Sequence, residues 1–206
     1  NASTDESLKF LKKSFSDIIV LECSENFGYA EGCNKGSQIA DGKYLIFLNN
    51  DTTQDSNWIK YLIDKMESNP KFASVQPKIR NYYNKNQFDY AGGCGGELDV
   101  FCYPFTRGRI FNTIEDDKGQ YDYTKKIFWA SGTSFITKKS IFKKVNGFDK
   151  IFFAHMEEID YHWKCHLLGY DVGFVPESII YHKGGQTLNY ESSFKTYLNH
   201  RNSMLL

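Results

Sequence analysis

An α/β fold built as one domain is what this sequence predicts, and three observations carry that prediction. Short apolar runs bounded by polar turns alternate with stretches of helical periodicity. The order strand, helix, strand in the first third of the chain suggests a parallel sheet. With 206 residues, 41% of them hydrophobic and 17% aromatic, there is enough apolar surface for one sizeable core.

Each element has its own signal. The opening NASTDESLKFLKKSF starts as a loop in which Ser3, Thr4 and Asp5 offer capping side chains. It continues as a helix with Leu8, Leu11 and Phe15 at helical spacing. DIIVLE (Asp17 to Glu22) predicts a strand, NFGYAEGCNKGSQIA a glycine-bearing turn feeding a helix, and KYLIFLN a second strand. From about Ser56, whose hydroxyl can cap it, the stripe Trp58, Ile59, Leu62, Ile63 and Met66 predicts a helix that Pro70 ends. FASVQPKI is the next strand. Asn81 to about Lys125 is glycine- and tyrosine-rich without periodicity, which predicts irregular structure with short strands. KIFWASGTSFIT predicts a strand pair, or one strand bent around Gly132, and KSIFKKVNGF a short helix stopped by Gly147. EEIDYHWKCHLLGY is a helix closing at Gly169, DVGFVP and SIIYHKGG are two short strands, and FKTYLNHRNSMLL is helical.

Composition narrows the function classes. Lysine plus arginine balances aspartate plus glutamate at 25 each, so there is no global basic field of the kind that holds nucleic acid. The cysteines Cys23, Cys33, Cys94, Cys102 and Cys165 are odd in number and form no CxxC pair, which argues against a zinc ribbon or a disulfide framework and predicts reduced thiols in a cytoplasmic setting. The apolar runs fall far short of the ~20 residues that span a bilayer, and no signal peptide opens the chain, so the segment is expected to be soluble.

Several polar constellations are candidates for chemistry. Asp51, in LNNDT, stands just past a strand end, where a carboxylate either holds a divalent cation or merely turns the chain. Gly28, Gly32 and Gly36 match neither GxGxxG nor the P-loop spacing; Asn26 and Asn34 in the same turn either bind a ligand or stabilise the loop. Glu157, Glu158 and Asp160 cluster at a helix start beside His155 and His162, where the helix dipole favours acids and a pocket wall would make one of them a general base. His182 ends a strand and can ligate a metal, whereas His162 and His166 lack the HExxH pattern. Arg201, in NHRN, offers a guanidinium that can grip a phosphate.

Taken in order, NASTDES, ENFGYAEGCNKG, ADGKYLIFLNNDT, WASGTSFIT, VNGFDKIFFAHMEEIDYHWKCHLLGYDVGFVPES and YHKGG resemble the successive blocks of the family 2 glycosyltransferases, in particular the rhamnosyltransferase-like branch. The resemblance covers nearly all of the chain. It implies a GT-A fold, a Rossmann-like mixed sheet flanked by helices, with a nucleotide-binding half over about 1–80 and an acceptor-side half over about 81–206 of a single catalytic domain. It further implies a nucleotide-sugar donor, a divalent cation (Mg²⁺ or Mn²⁺) and inversion at the anomeric carbon.

The family's D-x-D motif falls on Asn49, Asn50 and Asp51, which makes Asp51 the implied cation ligand; Asn49 brings no charge. Asn26, Gly28, Asn34 and Arg201 fall on the donor side. Glu158 takes the position of the catalytic base, an aspartate in the family pattern, with Glu157 in reserve. His182 completes the metal site, while Trp129, Ser131, Gly132 and Asp160 fall on the acceptor side. The family's first strand and its base-binding aspartate are missing ahead of NASTDES, so a truncated domain is expected. The acceptor implied is a glycan or lipid-linked hydroxyl in cell-surface polysaccharide synthesis, at the cytoplasmic membrane face, with peripheral membrane contact. The alternatives are a sugar nucleotidyltransferase or an inactive carbohydrate-binding or scaffolding relative.

Overall fold

The computed structural model describes residues 1–184 and 193–206; Gly185, the last glycine of the YHKGG block, lies outside them. In chain order the elements are α1 (Ser7–Ser14), α2 (Gly28–Ile39), β1 (Tyr44–Leu48), β2 (Thr52–Gln54), α3 (Trp58–Ser68), β3 (Phe72–Asn81), β4 (Gly96–Leu98), β5 (Pro104–Thr106), β6 (Arg109–Ile110), β7 (Thr113–Ile114), β8 (Lys125–Ile127), β9 (Ser134–Lys138), α4 (Lys139–Lys144), a 3-10 turn (Lys150–Phe152), α5 (Glu157–Leu167), β10 (Asp171–His182) and α6 (Ser193–Ser203).

The main sheet runs in the order β1-β9-β3-β10-β2, with β8 on β10. Strand β9 is antiparallel to both β1 and β3, and β10 is parallel to β3. The sheet is therefore mixed, as a GT-A fold requires, and not the parallel sheet that the strand–helix–strand spacing suggests. β1 and β3 do point the same way across α3, but β9 returns from the second half of the chain and inserts between them, pairing Tyr44 with Lys138 through Leu48 with Ser134.

Three expectations need correcting. DIIVLE forms no strand: a β-branched run becomes one only where a neighbouring edge pairs with it, and among the described residues none does, leaving Ile19 78% exposed. DVGFVP and SIIYH are one strand, β10, because a break in register against β3 between Val175 and Ile179 absorbs Pro176, which has no N–H for the ladder. The Ser178 hydroxyl at that break donates to the Trp58 carbonyl at 2.8 Å and ties β10 to α3. Finally, Ser56 does not cap α3, whose first flanking residue is Asn57.

Two apolar layers cover the sheet. On one, α3 sets Trp58, Leu62 and Met66 against Val75, Ile79, Ile136 and Ile180. On the other, Phe47 lies 4.9–5.1 Å from the rings of Phe135, Phe142 and Phe148, with Tyr161 beside them. Each such fully buried side chain contributes roughly 1.5–3 kcal/mol.

The stretch after β3 carries two small hairpins, β4–β5 and β6–β7. It is anchored by a buried ionic cluster: Lys78 Nζ donates to Asp117 at 2.9 Å and also to Asp122, while Arg80 Nε donates to Asp117 at 2.8 Å. Lys78 and Asp117 are almost fully enclosed, so neither holds its charge without partners, and the cluster works as a unit. K78M should cost roughly 3–5 kcal/mol, a fall in Tm on the order of 10 °C for a domain of this size. A thermal melt of K78M within about 2 °C of wild type would show that the cluster does not anchor the segment.

Candidate active site

Because β1, β3 and β10 run the same way, their C-terminal ends lie along one end of the sheet, where α/β proteins bind ligands. Asp51 follows β1, Asp89 follows β3 and His182 ends β10. Antiparallel β9 begins at the same end, so the preceding Ser131, Gly132 and Thr133 arrive there too.

The two sides of this end are joined by hydrogen bonds. His182 Nε2 lies 3.2 Å from Asp51 Oδ1, and its Nδ1 lies 3.0 Å from Asp89 Oδ1. Asp89 Oδ2 accepts the Ala91 N–H at 2.8 Å, and the Ala91 carbonyl accepts the Ser131 hydroxyl at 2.7 Å. Burial disfavours a charge on His182, but the two carboxylates outweigh it and raise the imidazole above its ordinary range. The Asn49 N–H donates to the Thr133 carbonyl at 2.9 Å, fixing the LNNDT turn against the WASGT loop, while the Asn50 side chain is exposed.

Buried Gln76, on β3, secures that loop from below. Its Oε1 accepts the Ser131 N–H at 2.8 Å and its Nε2 donates to the Gly92 carbonyl at 3.0 Å. Trp129 is buried and donates from its indole to the Glu97 carbonyl at 3.1 Å. Gly132 faces Glu158: a Cβ there would stand 3.4 Å from Glu158 Oε1. A side chain there would lie against the carboxylate.

Helix α5 presents Glu157 and Glu158 from its first turn, behind a loop bent in an unusual way. Phe153, His155 and Met156 all take positive φ (61°, 70° and 75°), a conformation costly for side chains of this size. Two groups hold it. The Phe153 carbonyl accepts the Tyr29 and Ala30 N–H groups, at 2.7 and 3.1 Å, from the first turn of α2. Gly28 must be glycine for this approach, since a Cβ would meet that carbonyl oxygen at 2.3 Å. From α6, buried Asn202 donates to the Phe152, Ala154 and His155 carbonyls at 2.6–2.9 Å.

Arg201 spends its guanidinium on the same loop, donating to Ile151 at 2.6 Å and Phe152 at 3.0 Å. Its contacts are therefore with the support of α5 and not with Asp51 or His182. Asn34 clamps the Phe148 backbone through both amide atoms, and Asn26 accepts the Gly28 N–H. Asn34 thus ties α2 to the segment after α4, and Asn26 braces the turn that enters α2. Asp160 pairs with Lys164 at 2.6 Å along α5.

His162 and His166 dock α5 onto the sheet: His162 Nδ1 faces the Ala130 N–H at 3.4 Å and His166 Nε2 the Phe128 carbonyl at 2.7 Å. Burial pushes His162 down to about 3, so it stays neutral. The acids behave oppositely. Burial, then the neighbouring Glu158 charge, holds the Glu157 carboxyl well above the usual carboxylate range; burial also raises Glu158, against backbone N–H groups that include Gly132's. One oxygen of each, Oε2, is shut off from water without a hydrogen-bond partner among the described residues. Two adjacent buried carboxyls cannot both ionise cheaply, so the pair carries a proton to higher pH than either alone.

Sequence reasoning missed Asp89, Gln76 and Asn202. Asp89 and Gln76 carry no motif, whereas Asn202 stands in the NHRN block beside Arg201. A surface cleft of about 460 Å³ between α2, α4 and the 3-10 turn is lined by Asn34, Asn146 and Lys150, and neither Asp51 nor Glu158 lines it.

A mixed sheet covered by helices in this order is the architecture of a GT-A glycosyltransferase. GalNAc-T7, solved with UDP, GalNAc and Mn²⁺, superposes with a TM-score of 0.67 over 95% of this chain and 39% of its own, at 16% identity. The mannosyltransferase PcManGT from Pyrobaculum calidifontis, in complex with GDP-Man and Mn²⁺, gives 0.59 over 91% and 47%, at 14% identity. The model of glycosyl transferase family 2 matches residues 1–146, and the chain belongs to that family.

Among curated relatives, the N-acetylglucosaminyl-diphospho-decaprenol L-rhamnosyltransferase of Mycobacterium tuberculosis is 22% identical over 91% of this chain and 66% of its own length. The poly-beta-1,6-N-acetyl-D-glucosamine synthase of Staphylococcus epidermidis is 27% identical over 86% and 39%. The chain thus spans at most about two thirds of these relatives. Glu157, Glu158, His182 and Arg201 lie beyond the residues that the family model matches.

The raised Glu157 carboxyl has a consequence for stability. A carboxyl that binds its proton more tightly when folded supports the fold fully below its unfolded pKa, about 4.3, and loses that support as pH rises through its folded value. E157Q, which cannot ionise, should therefore gain on wild type between pH 4.5 and pH 8, by about 2–4 °C in Tm for each kcal/mol. A wild-type-to-variant difference that stays constant across that range would mean Glu157 is not held protonated.

Proposed function

We propose that this domain transfers a sugar, with inversion, from a nucleoside-diphosphate donor to a glycan or lipid-linked hydroxyl in cell-surface polysaccharide synthesis at the cytoplasmic membrane face. The observation that carries the proposal is the placement of Glu158. Its carboxylate faces Gly132, next to Ser131 at the end of the hydrogen-bonded line that starts from Asp51 and His182.

In this mechanism Glu158 accepts the acceptor hydroxyl's proton as that oxygen attacks the anomeric carbon from the face opposite the leaving diphosphate. One displacement inverts the centre. Glu157, kept protonated by burial, gives Glu158 a neutral neighbour in place of a second negative charge. Trp129, Ser131 and Gly132 border the acceptor side, and Asn49 and Asn50 flank the donor.

The residues present suit a divalent cation. Asp51 Oδ1 and His182 Nε2 converge to 3.2 Å, one hard oxygen and one imidazole nitrogen, a donor set that fits Mn²⁺ when phosphate oxygens and water complete the shell. Asp89, on the far ring nitrogen, orients the imidazole in the way that ligating histidines usually require. When bound, the cation supplies positive charge against the leaving diphosphate.

Two measurements test this reading. Calorimetric titration of UDP, dTDP and GDP with and without Mn²⁺ should find one nucleotide that binds in a metal-dependent way, with that dependence lost in D51A. E158Q should lower kcat by about 10²–10⁴-fold while leaving nucleotide affinity unchanged. Full turnover in E158Q, or metal-independent binding in wild type, would remove the corresponding role.

A further inference from the structure

We infer that Tyr29 is a positioning residue for Glu158, holding the Gly132 peptide beside that carboxylate from the same helical turn that holds the loop ahead of α5. Two loops meet on this one side chain and its backbone. The Tyr29 N–H donates to the Phe153 carbonyl at 2.7 Å, and the Tyr29 hydroxyl donates to the Gly132 carbonyl at 2.7 Å. The first contact sets where α5 begins, and the second sets the residue that its carboxylate faces.

The surroundings of Gly132 show what the hydroxyl does. A Cβ built there would lie 3.4 Å from Glu158 Oε1 and 3.8 Å from the Tyr29 hydroxyl, so carboxylate and phenol stand on the same side of this residue. Both neighbours of Gly132 are fixed from elsewhere: Ser131 by Gln76 and the Ala91 carbonyl, Thr133 by the Asn49 N–H on its carbonyl. Gly132 has no side chain to anchor it, and the Tyr29 hydroxyl is what bonds its carbonyl. Without that bond the most permissive residue of the loop is free to turn between two pinned neighbours.

The chemistry of the surroundings makes this turn matter. The titratable groups around Glu158 are Glu157 beside it, His162 one turn along α5, His155 in the loop ahead, and Tyr29 and Cys33 on α2. Burial keeps His162 neutral and pulls His155 below its ordinary range, with the Lys195 charge adding to the latter. Burial pushes the Cys33 thiol up to about 12. Burial, then Cys33, Glu157 and Glu158, holds the Tyr29 phenol well above its ordinary range, so it remains an O–H donor at neutral pH. What favours the Glu158 charge against burial is a set of backbone groups, Gly132's among them. Loss of one such donor leaves burial less opposed, and Glu158 then binds its proton more tightly. Only the step from proton affinity to turnover rests on the proposed transfer reaction, in which Glu158 acts as the ionised base.

Y29F deletes the hydroxyl and keeps both the ring, packed 6.2 Å from Phe148, and the backbone bond to Phe153. Its Tm should fall by no more than a few degrees, as for one hydrogen bond. Carbon-13 NMR of glutamate labelled at the side-chain carboxyl reads Glu158 through a pH titration without donor or acceptor. The E157Q background removes the coupled neighbour, and the signal lost in E157Q/E158Q identifies Glu158. Its midpoint should lie higher in Y29F/E157Q than in E157Q.

In turnover, Y29F should lower kcat roughly tenfold on the ascending limb of the pH profile, the effect of one hydrogen bond to a charged group. That limb should move to higher pH, with KM for the donor little changed, and Y29F should add nothing to the loss in E158Q. An unmoved midpoint would overturn the proposal. So would a lower Tm with the wild-type pH profile, because Tyr29 would then be a structural contact alone. A raised midpoint beside full turnover in E158Q would uphold the positioning and remove the transfer role, so the two failures are told apart.

Discussion

The contact on which the site depends is the one between the Phe153 carbonyl and the first turn of α2. Free N–H groups at a helix start attract an acceptor, and here the acceptor is the carbonyl that precedes α5. That bond helps hold three non-glycine residues at positive φ, a conformation the chain would not keep unaided. Gly28 makes the approach sterically feasible, and Asn202 closes the loop from the other side. Remove this support and the first turn of α5 relaxes, taking Glu157 and Glu158 away from Gly132.

Docking at the N-terminus of α5 is matched along its length by uncharged contacts. His162 stays neutral because it is buried beside Phe135 and Tyr161, so it meets the WASG loop as a packing group with a ring nitrogen aimed at a backbone N–H. Tyr161 shares a 2.6 Å hydrogen bond with Thr137 on β9. The helix that carries the acids is thus fixed to the sheet by rings and hydroxyls, and among the described residues it is backbone N–H groups, not a cation, that favour the ionised state of the two carboxyls.

Legibility in the sequence followed locality. LNNDT and EEID were readable because strand ends and helix starts have short-range signatures, and the order of the blocks indicated the fold. Asp89 and Gln76 were not readable: one sits in an aperiodic glycine-rich stretch, the other inside a strand where a polar residue is ordinarily a solvent-facing position. Their meaning comes from partners distant in sequence, His182 and Ser131. Asn26, Asn34 and Arg201 have types that suit a ligand, and in the structure they also hydrogen-bond the Gly28, Phe148, Ile151 and Phe152 backbone, which no local pattern announces. DIIVLE misled for a related reason, since strand propensity describes a surface that suits a neighbour and not the presence of one.

Strand direction explains why the site lies where it does. Three co-directional strands deliver Asp51, Asp89 and His182 to one end of the sheet, and inserting an antiparallel strand between two of them costs nothing in that respect. It adds something: β9 starts where the others stop, so Gly132 reaches the same end from the opposite direction. A wholly parallel sheet would send the start of that strand to the far side. The mixed order therefore places a residue without a side chain opposite Glu158, while the parallel β3–β10 pair keeps His182 between two carboxylates. Asp51, His182 and Gly132 share one end of this sheet because its strands do not all run the same way.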